Sequence, residues 1–372
     1  MSNPKDQAKA QEILKDLHSD IKQLDARRAG GANTRPMNIS FEEFIEGKYN
    51  LSREDFMETI GVDLRSDTMQ NIFMMPNQEI RWLVPEIIRS AIQLGLAEAP
   101  LYPNMIASEQ SINGLSAIMP IINPSDATPA YVNEGETIPI GDVSFGQKSV
   151  TLFKVGRGFK LTDEVKNYVS LDVLAIFLRD FGIQLGYALD NLAIDIILNG
   201  NAAGGTESAP VIGVSSTSDG ITYKDMLRIW IRSSRMGRNF KSLVSGEDVA
   251  MNVLDLDEFK LRRQGTPDMK LDLKTPVPSQ ADFFIHGGIS ANQLLFVDPR
   301  FALIKLNAQA LMLESERIVS NQTEATYASL TTGFSKMYVD AAVLLDGSKA
   351  YSSYGFPSSM NIDTFLQNYI MK

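Results

Sequence analysis

Residues 170–199 read SLDVLAIFLRDFGIQLGYALDNLAIDIILN, and this run decides the fold. Leu174, Leu178, Phe181, Leu185, Leu189, Leu192 and Ile196 recur at spacings of three and four, one continuous apolar face of a long helix. Ser170 is placed to cap its N-terminus, and Asp172 suits the positive end of the helix dipole. Val173, Ile176, Phe177, Ile183 and Ile194 widen the stripe, which predicts cover on more than one side. Asn199-Gly200 ends the helix, because glycine enters the left-handed region without steric cost. At ~1.5 Å per residue the element runs roughly 40 Å, the width of a domain. Gly182 and Gly186 lie on one face of it, either for close approach of another backbone or as tolerated glycines. Each costs up to ~1 kcal/mol in a helix, which favours close packing as the offset.

The 372 residues, 44% hydrophobic, suffice for a sizeable core in one elaborate domain or in two or three. Lys+Arg 35 against Asp+Glu 45 gives a net charge of −10, against a general nucleic-acid binder. The absence of cysteine excludes disulfides, thiolate metal sites and cysteine nucleophiles. No apolar run is read as reaching the ~18 residues of a membrane span, and the polar N-terminus is no signal peptide.

Upstream, Asp6–Arg28 is an amphipathic docking helix, with Ala10, Leu14, Leu17, Ile21 and Leu24 at heptad-like spacing. Short helices are predicted at Phe41–Glu46, Arg53–Ile60 and within Arg81–Leu96, then an extended arm or strands over Ala99–Pro129. Tyr131–Asp142 clusters glycine, proline and acids at its middle between strand-like segments, as a long hairpin tip would, with Ser149–Val155 the downstream strand. Downstream, Tyr223–Met236 and Gly246–Phe259 are helices and Phe240–Ser245 a strand. Gln264–Gln280 is a loop; Phe283–Ile285, Gln293–Val297, Ala302–Lys305 and Leu311–Val319 are strands. Tyr327–Leu345 is β-rich and Ile362–Ile370 a closing helix.

No catalytic or cofactor constellation emerges. His18 and His286 are the only histidines, and His18 is assigned to the exposed side of its helix. His286-Gly287-Gly288 reads as a turn, since no Gly-x-Ser-x-Gly nucleophile elbow accompanies it. Gly141–Ser149 falls short of a phosphate-binding loop because Gln147 intrudes before Lys148. Gly156-Arg157-Gly158 lacks the third glycine of a dinucleotide fingerprint. Asp255, Asp257 and Glu258 lack the central glycine of a calcium loop, and Glu314 and Glu316 are surface carboxylates. No catalytic residue, cofactor or metal is assigned.

The order of motifs is more informative. Asn133-Glu134-Gly135-Glu136-Thr137-Ile138-Pro139, then Asp142-Val143-Ser144-Phe145, Ser149-Val150-Thr151-Leu152 and Lys160-Leu161-Thr162-Asp163-Glu164 lead into the long helix. Leu189-Asp190-Asn191-Leu192-Ala193, Asn199-Gly200 and Pro210-Val211-Ile212-Gly213 follow. This series resembles the tailed-bacteriophage major capsid proteins, whose fold is shared with encapsulins and the herpesvirus capsid floor. The match is densest from Tyr131 to Gly213; beyond it only the order of elements agrees.

The resemblance implies an α+β shell fold. It would hold an N-terminal helix and arm (1–123), an extension loop (124–160) and a peripheral domain with the long "spine" helix (161–220). An axial domain (221–300), peripheral strands (301–338), and an axial strand with the C-terminal tail (339–372) would complete it. The implied function is a structural one. The chain would self-assemble into hexamers and pentamers of an icosahedral phage head, the virion capsid, built in the host cytoplasm around double-stranded DNA without sequence-specific contacts. Portal, scaffold and decoration proteins are the further partners; no membrane is involved. The rival readings are an encapsulin-type compartment and, on a β-rich fold, an esterase-like hydrolase. The expected intersubunit tip is Glu134, Gly135, Glu136, Pro139 and Asp142, with Lys160, Lys166 and Arg179 the first basic groups for it to meet. The expected spine packing set is Leu178, Phe181, Leu185, Leu189 and Leu192. Some relatives form an isopeptide bond from a loop lysine; Ser125–Gln147 contains no lysine, so that chemistry is expected to be absent.

Overall fold

The computed structural model describes residues 4–29, 39–75, 78–98, 100–112, 114, 116–119, 132–135, 148–201, 208–257, 281–357 and 360. Helices α1 (Pro4–Ala29), α2 (Phe41–Tyr49), α3 (Arg53–Ile60), α4 (Met69–Met74) and α5 (Leu83–Glu98) come first. Strands β1 (Ile106–Ser111), β2 (Ser116–Met119), β3 (Lys148–Thr151) and β4 (Phe153–Thr162) follow, then α6 (Asp163–Tyr168) and the spine, α7 (Leu171–Asn199). The remainder is β5 (Val211–Val214), α8 (Tyr223–Arg235), β6 (Ser242–Ser245), α9 (Glu247–Leu254), β7 (Asp282–Ile285), β8 (Gln293–Val297), β9 (Leu303–Ile318), β10 (Thr323–Lys336) and β11 (Ala342–Ala350).

The spine forms as its periodicity predicts, but its ends are held differently. Ser170 is the N-cap residue, yet its hydroxyl makes no capping bond. The first free N–H groups go instead to main chain: Leu171 N donates to Asp67 O and Asp172 N to Leu64 O, each at 3.0 Å. At the far end Lys336 Nζ donates to Ile197 O at 2.9 Å, placing a cation on the negative end of the dipole. Leu174, Leu178, Phe181, Leu185 and Leu189 are buried as the stripe requires; Leu192 is only partly buried and packs at the margin. By length and apolar composition alone the helix would pass for a membrane span, contrary to the sequence expectation. Its buried face is instead taken up by α5 and a sheet.

Of the two helix glycines read from the sequence, Gly182 resolves as close approach. A Cβ on Gly182 would collide with the Ile92 carbonyl oxygen, and one on Gly95 with that of Arg179. The two helices thus touch backbone to backbone, each supplying a glycine.

A four-stranded sheet, order β1-β9-β10-β4, lies against the spine. The two long strands form a hairpin turned by Val319–Asn321, with Gln322 at φ 50°. The predicted pair Ala302–Lys305 and Leu311–Val319 is one strand. Its polar middle, Asn307-Ala308-Gln309, broke the apolar pattern, and here the ladder to β10 shifts register between Ser329 and Thr332. Gly156 and Gly158 sit within β4, not in a phosphate loop, and Gly158 faces Tyr327, whose ring occupies the space of a Cβ.

A second sheet, order β5-β11-β8-β6-β7, is parallel except for β8. Its residues alternate between two cores. Leu243, Phe283, Phe296, Val343 and Leu345 face α8 and α9, whereas Val244, Leu295, Val297 and Leu344 join the spine core. Because β5 belongs to this sheet, the unit expected to begin at residue 221 starts earlier in the chain.

The N-terminal helix docks into the core, as its amphipathic pattern predicts. Ile13, Leu14, Leu17, Ile21 and Leu24 are buried, and its last turn is tied to α5 by an ion network. Arg28 Nη1 donates to both Glu86 oxygens at 2.8 and 3.0 Å, Arg28 Nε to Ile39 O at 2.9 Å, and Arg89 Nη1 to Asp25 at 2.9 Å and to Glu86. His18 is not on a solvated face either: its ring stacks on Trp82 at 4.2 Å between centroids. α9 ends at Leu254, short of the predicted Phe259. The predicted loop Gln264–Gln280 and helix Ile362–Ile370 lie outside the described residues.

Two substitutions test this packing. Leu185→Ala should cost ~2–5 kcal/mol of unfolding free energy through lost transfer energy and a cavity. Gly182→Ala should also destabilise, by about 1–3 kcal/mol of overpacking, although alanine is the better helix former. Denaturant melts check both; a rise in midpoint for Gly182→Ala would contradict the backbone contact.

Candidate assembly surface

The spine's other face is open. Val173 (56% exposed), Ile176 (65%) and Phe177 (54%) stand together within about one turn, Tyr187 (50%) recurs on the same face beyond the exposed Asp180 and Gln184, and Tyr168 (83%) precedes them. Among the described residues, the sequence expectation of cover on this side is therefore not met. Only Ile194, near the C-terminal end, is buried, and Ile183 is half-buried. Phe177 finds partial support from Phe159 on β4, edge to face at 6.4 Å between ring centroids. From Val173 to Tyr187 this face runs 15 residues, about 20 Å at ~1.5 Å per residue. Three large apolar side chains exposed within about one turn make a patch, in contrast to singly scattered ones.

A second feature is the paired base of the segment between β2 and β3. β2 pairs antiparallel with β3, Ser116 opposite Thr151 and Met119 opposite Lys148, closing the segment between them. Of the expected tip residues, Glu134 and Gly135 are exposed, and Gly135 turns the chain at φ 88°. Glu136, Pro139 and Asp142 lie outside the described residues.

Two of the three basic groups expected to meet the tip are engaged at home. Lys166 is buried and its Nζ lies 2.5 Å from Glu324 Oε2. Arg179 grips Glu98, with Nε donating at 2.6 Å. Lys160 is exposed on β4.

The buried polar groups are structural in their contacts. Asp190, fully buried on the spine, accepts from Leu101 N at 3.0 Å and Tyr102 N at 2.8 Å, so it anchors the chain leaving α5. Burial holds its carboxyl above the usual aspartate range despite those donors and the nearby His286. His286 accepts from Gly288 N through Nδ1 at 3.0 Å, which makes His286-Gly287-Gly288 a turn as read. A cavity of about 440 Å³ separates α2 and α5 from β9; Lys305 at its wall donates to Tyr102 Oη at 2.8 Å and to Glu109 at 3.2 Å. No group of three or more metal-ligating side chains occurs among the described residues. Glu314, Glu316, Asp255 and Asp257 are exposed, as read.

Sequence reasoning missed the Arg28–Glu86–Arg89 network. Its signal was present: Glu86 and Arg89 interrupt an otherwise apolar face of α5 at positions i and i+3.

No protein-family model matches the chain, and no curated protein does. Solved structures similar to it are phage and other capsid chains, an encapsulin and a virus-like particle. The virus-like particle from Pyrococcus furiosus is 15% identical over 70% of this chain and 98% of its own, at a TM-score of 0.48. The capsid of a native GTA particle is 10% identical over 66% and 89%, at 0.48. The holo-SrpI encapsulin complex from Synechococcus elongatus is 10% identical over 69% and 89%, at 0.46. At these levels the functional reading rests on the chain's own surface.

That surface has a direct test of facing. Val173→Asp and Ile176→Asp should each leave the isolated subunit's unfolding free energy within about 0.5 kcal/mol, as surface changes do. A loss of about 2 kcal/mol or more in a denaturant melt would place this face in the core.

Proposed function

We propose that this chain is the repeating subunit of a closed shell: a major capsid protein, assembling as hexamers and pentamers into an icosahedral phage head around double-stranded DNA. The observation that carries the reading is the open apolar row Val173–Ile176–Phe177–Tyr187 on a helix whose opposite face is core. A lone subunit leaves that row wet, where burying each such side chain would contribute about 1.5–3 kcal/mol; a neighbouring copy covers it. The paired base of the excursion between β2 and β3, with its exposed Glu134 and Gly135, supports an extension loop reaching over the neighbour. On this reading the spine and four-stranded sheet form the peripheral domain and the five-stranded sheet with α8 and α9 the axial one. The role is structural: His18 and His286 are each committed to packing or turn contacts. Portal, scaffold and decoration proteins are partners of such a shell, and a net charge of −10 keeps subunit and packaged DNA from binding tightly. The virion is its place, reached after assembly in the host cytoplasm.

The full chain, expressed and purified, should sediment as closed particles or capsomers holding nuclease-protected DNA. Ile176→Asp should abolish them. With no lysine in Ser125–Gln147, boiling detergent should release single chains on a denaturing gel. A compact monomer under every assembly condition would sink the proposal, protein contents would transfer it to an encapsulin-type compartment, and a covalent ladder would refute the absence of cross-links.

A further inference from the structure

The five-stranded unit carries two charged faces of opposite sign. On α8, Lys224, Arg228, Arg232 and Arg235 recur at intervals of four, four and three, with the half-exposed Ile231 among them. They line a groove of about 580 Å³ whose far wall is Tyr351 and Phe356. Arg228 stacks over the Tyr351 ring at 4.3 Å and Arg232 over Phe356 at 4.8 Å, so their guanidinium planes are held in place. Arg228 also pairs with Asp225 at 3.2 Å; among the described residues no carboxylate reaches Lys224, Arg232 or Arg235. On α9 the pattern is inverted. Glu247 and Asp248 open the helix, Asp255 and Asp257 follow its end, and Met251 stands 76% exposed between them.

The two faces lie toward opposite edges of one sheet. The α8 groove is walled by Tyr351, whose N–H donates to Val214 O on the edge strand β5, whereas α9 follows β6 and packs against it, next to the other edge strand, β7. We infer that the α8 groove of one copy receives the α9 face of the next, Met251 covering Ile231 while carboxylates meet Lys224 and Arg235. A contact between two different patches of one chain is head-to-tail, and repeated by rotation it closes a ring. Nucleic-acid phosphates would match the cations but leave Ile231 and the Phe356 wall without an apolar partner; α9 supplies one. The inference rests on the shell reading and assigns the contact that closes its capsomers.

Three full-length variants test it. Lys224→Glu/Arg235→Glu makes both faces acidic, Glu247→Lys/Asp257→Lys makes both basic, and the fourfold chain exchanges the signs. All four positions are exposed, so each variant should melt as wild type does. Each double variant should lose capsomers and particles in sedimentation and negative stain, and the fourfold swap should restore them. The inference is overturned if either double variant assembles like wild type, or if the swap stays unassembled while melting normally. It is also overturned if Lys224→Glu/Arg235→Glu keeps its particles and loses only bound DNA, which would make the groove a nucleic-acid site. Failure of the wild-type chain itself to assemble would bring down the shell reading, a distinct result.

Discussion

The contact on which the subunit depends is the crossing of α5 and the spine, where Gly95 and Gly182 let main chain meet main chain. Helix axes normally stand 8–10 Å apart because side chains intervene. Removing them draws the N-terminal helical layer tightly onto the spine and fixes where everything else docks. The consequences can be followed outward. Asp190, on the same helix, caps the turn that leaves α5 and so aims β1 into the sheet, where it runs parallel to β9. Glu86, on α5, gathers Arg28 and Arg89 and so fixes α1. That pair is buried at both ends, and removing one partner of a buried pair costs about 3–5 kcal/mol, so the network specifies the docking of α1 more than it adds net stability.

A helix fixed so firmly on one face and bare on the other is asymmetric in a useful way. The inward stripe folds the chain; the outward row does nothing for the single subunit. The two sheets divide labour similarly. One face of the five-stranded sheet shares the spine core, which holds that unit rigidly, while α8 and α9 on its other face present charges to solvent. On the proposed shell reading, folding and association draw on different residues, and each can be altered without the other.

Much of this was legible in the sequence, for identifiable reasons. The spine, α3 and β8 were placed within a residue or two because their apolar patterns are strong. The core set Leu178, Phe181, Leu185 and Leu189 followed from the same period. What failed were inferences that needed a second surface. Val173, Ile176 and Phe177 look like core by composition, and only the placement of the described elements shows them more than half exposed, with Phe159 of β4 the ring that reaches Phe177. The capping of Ser170 was misread because main-chain carbonyls from Leu64 and Asp67 arrive from far upstream. β9 was split in two because its polar middle lies at a register shift that no local pattern announces. The candidate tip was legible as a solvent-exposed turn at Glu134-Gly135, but not its partners, since Lys166 and Arg179 are claimed by Glu324 and Glu98.

The central claim is that the outer face of the spine is completed by another copy of the chain. Hydroxyl-radical footprinting of Ile176, Phe177 and Tyr187, compared between dissociated subunits and the assembled state of the same preparation, tests it most directly. The account predicts strong protection of all three on assembly, with Leu185 protected in both states. Equal labelling of the three in both states would contradict it.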